Sequence, residues 1–196
     1  MLSIEALAGD AALPFFGDLA ALRNEVFREY PYLYQGTRQY EARYLSSYAQ
    51  SARSVIVIAR DGDQVVGAST AMPLTEHSEN VAPVIAGAGL DPERVYYFGE
   101  SVLRGAYRRH GIGHAFFDHR ETAARAHGFS IAAFCAVVRP DDHPRKPADY
   151  VPHDAFWTKR GYVKRPDIVA TFSWCDVGED EETDKPMVFW LKELRP

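Results

Sequence analysis

Apolar residues along this chain follow two rhythms, and the switches between them mark its elements. Between Pro14 and Glu29 they recur every third or fourth position, at Phe15, Phe16, Leu19, Leu22, Val26 and Phe27, which predicts an amphipathic helix. Tyr30-Pro31-Tyr32-Leu33-Tyr34 breaks it, because Pro31 has no N–H and disfavours a helical predecessor. A second helix is predicted over Arg38 to Ala49. Residues 2–8 read as a short first strand, and Val55–Ala59 and Val65–Met72 as a hairpin turned by Asp61-Gly62-Asp63. A short helix is predicted around Asn80 to Ala86. Next come a strand over Val95–Leu103, a helix from about Gly113 to His127, and a strand over Ile131–Val138. Arg139 to Pro152 is a polar loop carrying Pro140, Pro144, Pro147 and Pro152. Asp154 is placed to cap a short helix over Ala155–Arg160 that stops at Gly161. Val169–Trp174 and Met187–Leu194 are the last strands, set around an acidic loop. Apart from the short helix near Asn80, the order is strand, two helices, three strands, helix, strand, helix, two strands. It predicts a mixed α/β sheet in a single domain spanning residues 1–196.

Composition narrows the function. Hydrophobic residues make up 46% and aromatics 13% of the chain, enough for a sizeable core. The formal charge of −5 argues against a nucleic-acid partner, which needs a basic footprint. No apolar run reaches the roughly 18 residues of a membrane span. Met1-Leu2-Ser3-Ile4-Glu5 lacks the pattern of a signal peptide, so a cytoplasmic protein with no membrane partner is expected. Cys135 and Cys175 fall in strand-like runs and are expected as two buried thiols.

The most informative stretch is Tyr107-Arg108-Arg109-His110-Gly111-Ile112-Gly113-His114, between a predicted strand and a predicted helix. Free amides at a helix start, with the helix dipole behind them, form an anion site, and glycine lets a ligand approach the backbone. A mononucleotide loop would need Lys-Ser/Thr after its last glycine, whereas His114 follows Gly113. A dinucleotide fold would need three glycines early in a parallel unit, which fits poorly here. What remains is a pyrophosphate clamp of the form Arg-x-x-Gly-x-Gly.

Here the chain resembles the GNAT superfamily of N-acetyltransferases. The resemblance rests on Leu103-x-x-x-Tyr107-Arg108-Arg109-His110-Gly111-Ile112-Gly113 and on Ala155-Phe156-Trp157-Thr158-Lys159-Arg160-Gly161-Tyr162, with the element order matching over about residues 2–194. It implies a central mixed, largely antiparallel sheet of six to seven strands flanked by helices. It also implies acetyl-CoA as co-substrate, its pyrophosphate on the amides from Arg109 to His114. The strands Val95–Leu103 and Ile131–Val138 would splay to admit the pantetheine. Leu103, Arg108, Arg109, His110, Gly111, Ile112, Gly113, His114 and Trp157 are the cofactor-binding candidates, with Arg108 and Arg109 placed to neutralise phosphates. The implied reaction is acetyl transfer to the amine of a small molecule by direct attack, with no metal. Many relatives are dimers, so a homodimer stays open.

Such transfer needs an uncharged amine, a donor to the carbonyl, and a proton for the leaving thiolate. Glu100 is the base candidate: it is the only acid of its strand and, under regular alternation, shares a face with Tyr96 and Phe98. Many relatives carry a tyrosine where this chain has Trp157, and indole is not a practical proton donor. Tyr150, His153 and Tyr162 are the substitutes, and release of thiolate to solvent is a further route. The missing tyrosine also supports a second reading, a non-catalytic acyl-CoA sensor or scaffold. Tyr30, Tyr32 and Tyr34 either line the acceptor pocket or pack in the core.

The remaining candidates read more plainly. Cys135, in an apolar strand, is expected to be inert, and His110 and His114 lack the geometry of a metal pair. His119 falls on the apolar stripe of its helix and reads as a packing residue. The acids Asp176, Glu179, Asp180, Glu181, Glu182 and Asp184 read as a solvated loop, with attraction of a cationic amine as the alternative. The Arg139–Pro152 loop is longer than usual in relatives and is expected to close over the acceptor.

Overall fold

A computed structural model of the chain describes residues 1–77 and 81–195. β1 (Leu2–Ala8) leads through a 3₁₀ segment, Gly9–Phe15, into α1 (Phe16–Phe27) and α2 (Arg38–Gln50). β2 (Val55–Asp61), β3 (Gln64–Pro73), α3 (Ala82–Gly87) and β4 (Val95–Leu103) follow. The second half runs α4 (Ile112–Ala126), β5 (Ile131–Val137), α5 (Asp154–Lys159), β6 (Val163–Cys175) and β7 (Glu182–Glu193). Seven strands form one sheet in the order β1-β2-β3-β4-β5-β7-β6. Among the described residues only β4 and β5 run parallel. The expected mixed, largely antiparallel sheet flanked by helices is therefore the observed architecture.

Both faces of the sheet are covered. α4 lays Ile112, Phe116, Phe117 and Ala124 on Tyr96, Phe98 and Ala132. On the other face α1 and α2 bury Leu19, Leu22, Leu45 and Tyr48 against Ile56, Ile58 and Met72. Covering both faces is why the central strands read as continuous apolar runs.

Several boundaries differ from the expectations. Pro14 lies inside the 3₁₀ segment, so α1 starts only at Phe16. The short helix begins at Ala82, and Asn80 lies outside the described residues. β6 starts at Val163, six residues before the expected strand; its first residues, Val163-Lys164-Arg165-Pro166-Asp167, are mostly exposed on a sheet edge, where proline is tolerated. β7 likewise starts at Glu182, so Glu182 and Asp184 belong to a strand pair and not to a loop. Asp154 does not cap its helix: it is the first helical residue, and its Oδ2 accepts from Lys164 at 2.8 Å. Cys135 is buried as expected, whereas Cys175 is only half-buried. His119 is half-buried, and the fully buried stripe of α4 passes instead through Arg120 and Glu121.

Candidate active site

The site starts at the turn between β4 and α4. After a 3₁₀ turn at Gly105–Tyr107, Arg109 and Gly111 adopt positive φ, 68° and 81°. Two left-handed residues so close together curl the backbone around its own amides. Among the described residues, the amides of Arg109 to His114 donate to no backbone carbonyl; the first such bond is from Ala115 to Gly111, at 3.1 Å. Free donors at the start of a fifteen-residue helix suit a pyrophosphate. Arg108 gives Nη2 to Glu29 at 2.7 Å and Nε to the Leu103 carbonyl at 3.3 Å, so its charge is already shared.

The sheet opens beside this turn. β4 and β5 pair only from Val95↔Ile131 to Tyr97↔Ala133, leaving Phe98 to Leu103 without a partner on that side. A cleft of about 1280 Å³ fills the gap. It brings together most of the expected site: Glu100, Tyr150 and His153; Leu103, Arg108, Arg109, Gly111, Gly113, His114 and Trp157; and Tyr30, Tyr32 and Tyr34. Besides Tyr162, two candidates fall elsewhere. Ile112 is a core residue under the turn, 1% exposed, and His110 is exposed outside the lining.

A β-bulge decides where Glu100 points. Ser69 pairs with Ser101 and Ala71 with Phe98, so Thr70 alone faces both Gly99 and Glu100. The extra residue interrupts the alternation. Glu100 therefore leaves the face of Tyr96 and Phe98, contrary to regular alternation, and meets Arg23 of α1. Close packing at the bulge requires Gly99, since a Cβ there would lie 2.1 Å from the Tyr48 hydroxyl. From the other face the buried Arg120 braces the bulge, donating to the Glu100 carbonyl at 3.0 Å and to Ser101 Oγ at 2.9 Å.

Arg23 joins two carboxyl groups. Its Nη1 donates to Glu100 Oε2 and its Nε to Glu41 Oε2, and all three side chains are buried. Tyr34 closes the network by donating to Glu41 Oε1 at 3.0 Å. Burial opposes the Arg23 charge, but Glu100, Tyr44 and Glu41 outweigh it and hold the guanidinium well above its ordinary pKa.

The far wall is aromatic and clasped. Arg139 donates to the carbonyls of Pro31 and Tyr32 at 2.8 and 2.7 Å, and bidentately to Asp176 at 2.8 and 2.9 Å. It thereby ties the tyrosine segment to β6. The long loop covers this wall, with Tyr150 edge-on to Tyr30 at 4.7 Å. None of the six acids between Asp176 and Asp184 lines the cleft; Asp176 is locked by Arg139, and Glu179 by Arg145 at 3.2 Å.

A profile described as the acetyltransferase (GNAT) family matches residues 19–147. The chain belongs to the GNAT family. Among solved structures, an N-acetyltransferase from Staphylococcus aureus Mu50 matches with a TM-score of 0.62 at 11% identity, covering 100% of this chain and 99% of that one. The ribosomal-protein-S18-alanine N-acetyltransferase from Escherichia coli gives 0.58 at 10%, covering 100% and 96%. An aminoglycoside 6'-N-acetyltransferase complexed with coenzyme A gives 0.59 at 15%, covering 99% and 98%. At these identities the likeness establishes the fold. A search of curated proteins finds no match.

Within this GNAT fold, the proton-carrying candidates separate by environment. Tyr162 is 2% exposed and donates to Glu121 at 3.1 Å, so it belongs to the core. Trp157 packs on Phe134 and Trp190, with ring centroids 5.0 and 5.1 Å away. Burial, with Tyr30 and Asp154 nearby, raises the Tyr150 pKa and keeps its hydroxyl protonated. Burial and the Arg108 charge lower His153, leaving it neutral. Burial, opposed by a hydrogen bond with Tyr97, pushes the Cys135 thiol up to about 12, which makes it a poor nucleophile at neutral pH.

His77 was absent from the sequence-derived candidates, yet it lines the cleft with its ring 4.6 Å from that of Tyr97. Burial, then the Arg23 charge, lower its pKa to about 4. Its folded pKa lies below the unfolded value near 6.5, so between the two the unfolded chain binds more protons. Stability is expected to fall as pH drops from about 6.5 toward 4, by up to about 3 kcal/mol. Thermal melts of wild type and His77→Asn between pH 7 and 4.5 check this; parallel curves would remove His77 as the cause.

Arg23, Glu41, Arg120 and Arg139 were missed as well. A signal existed for the first: Arg23 stands four residues after Leu19 and four before Phe27, on the apolar stripe of α1. A charge at such a position calls for a buried partner.

Proposed function

We propose that this chain is an acetyl-CoA-dependent N-acetyltransferase that acts on the amine of a small molecule by direct attack. The observation carrying this reading is the row of free amides from Arg109 to His114 beside the β4–β5 gap. Those amides and Arg109 would hold the pyrophosphate, and the gap would take the pantetheine arm. Acetyl-CoA supplies an activated carbonyl and a thiol leaving group. Glu100 receives the ammonium of the acceptor and takes its proton, directly or through one water, leaving a lone pair free to attack. The Tyr150 hydroxyl donates a hydrogen bond to the departing sulfur, and solvent completes the protonation, since a thiol pKa lies near 8.5. The charge of −5 supports a small acceptor over a nucleic acid.

The test is release of free thiol from acetyl-CoA across a panel of amines, with calorimetry of acetyl-CoA binding alongside. Amine-dependent release is expected. Tight acetyl-CoA binding with no release on any amine would replace the transferase with the sensor or scaffold that Trp157 suggests. No binding would remove both readings.

A further inference from the structure

We infer that the acceptor is a monoamine carried on an apolar, ring-sized body, and that polycations and peptide termini are rejected. This rests on the N-acetyltransferase reading and concerns the acceptor side of the same cleft.

The charge available to an incoming amine is small and localised. Among the described residues four acids line the cleft, Glu29, Glu100, Asp149 and Asp154. Glu29 is held by Arg108 at 2.7 Å and Asp154 by Lys164 at 2.8 Å. Asp149 is exposed on the long loop. The buried lining holds the Glu41–Arg23–Glu100 network, in which two carboxyl groups face one guanidinium, and Arg120, whose guanidinium is committed to the carbonyls of Phe116 and Glu100 and to Ser101 Oγ. Glu41 spends both oxygens inside, on Arg23 and Tyr34, while Glu100 reaches the cleft. Among the described residues Glu100 is the one buried carboxylate of the lining, and it can satisfy one ammonium. A second ammonium on the same acceptor would be desolvated without a partner, which is costly.

The surface around that carboxylate is made largely of ring faces, and some of their polar groups are already used. Tyr32 stacks on Trp174 at 6.2 Å and lies 4.7 Å from Phe27. Trp174 Nε1 donates to the Tyr32 carbonyl at 3.1 Å, and the Tyr34 hydroxyl is committed to Glu41. Arg139 fixes the Pro31 and Tyr32 carbonyls from behind. A hydroxyl-rich or peptidic acceptor finds few partners on this wall, whereas an apolar body buries its surface there. Ring faces also attract the adjacent ammonium, as the Arg23 guanidinium already shows, 4.1 Å from the Tyr44 centroid.

The experiment compares kcat/KM for 2-phenylethylamine, spermidine, kanamycin and a short peptide with a free N-terminus, with acetyl-CoA binding measured by calorimetry. The wild type should favour 2-phenylethylamine by at least about tenfold over each of the others. Val26→Asp adds a further carboxylate to the cleft lining and should narrow the ratio to spermidine; a variant that only disturbed folding would lower both substrates together. Preference for spermidine, kanamycin or the peptide would overturn the inference and leave the transferase intact. Acetyl-CoA bound without thiol release on any amine would instead fell the transferase, and the inference with it.

Discussion

Replacing Glu100 with Gln is expected to lower kcat/KM for the amine by about 10²–10⁴-fold, the usual range for loss of a positioned base. The substitution keeps the shape and leaves an amide oxygen for the Arg23 guanidinium, so the bulge and the α1 contact are retained. It removes the buried carboxylate proposed to receive the ammonium. Acetyl-CoA affinity should be unchanged, because the amides proposed for the pyrophosphate lie beyond β4 at the start of α4. Thiol-release kinetics and calorimetry together check both halves. A loss smaller than about threefold would assign the base elsewhere, and the pH profile would then say where. His77 titrates at about 4 and His153 below its ordinary value, so neither supplies an inflection near neutrality. An acid limb with an apparent pKa close to 7 in the Gln variant would point to another group taking the proton.

The parts of this fold that were legible are those whose information is local. Val95–Leu103 read correctly because an unbroken apolar run needs no knowledge of its neighbours, and the turn from Arg108 to Gly113 into a helix because a helix start is a local event. Val163–Asp167 did not, since an edge strand facing solvent has no reason to be apolar. The bulge at Gly99–Glu100 was equally hidden. It exists because Tyr44, Tyr48 and Thr70 crowd one side while Arg120 pulls on the carbonyls from the other.

The same division runs through the site. Glu100 could be picked out as the lone acid of a strand, but its partner is 77 positions away in sequence. Arg139 and Asp176 stood in the sequence as one residue of a polar loop and one of an acidic run. Only the fold shows that they form a buried bidentate pair joining the tyrosine segment to β6. The acidic run shows the same limit: composition counts charges, whereas Arg139 and Lys185 have spent Asp176, and Arg145 has spent Glu179.

Arg23→Met should have the largest effect on stability. Arg23 and Met are of similar length, so the change removes charge and donors more than volume. Glu41 is 0% exposed and Glu100 8%, and both would lose their shared cation. Breaking a buried pair in this way costs about 3–5 kcal/mol, because the abandoned charge must stay buried, become protonated or drag the structure open. For a chain of this size that is a fall in Tm of about 10 °C. The controls separate the electrostatic cost from simple loss of packing. Arg23→Met combined with Glu41→Gln and Glu100→Gln leaves no unpaired charge, and should recover much of the lost Tm while remaining without activity. A triple variant no more stable than Arg23→Met alone would mean that packing and not charge holds α1 against β4. Recovery of Tm without activity would show that the network is retained for its Glu100 carboxylate, at a site where an uncharged cluster would fold as well.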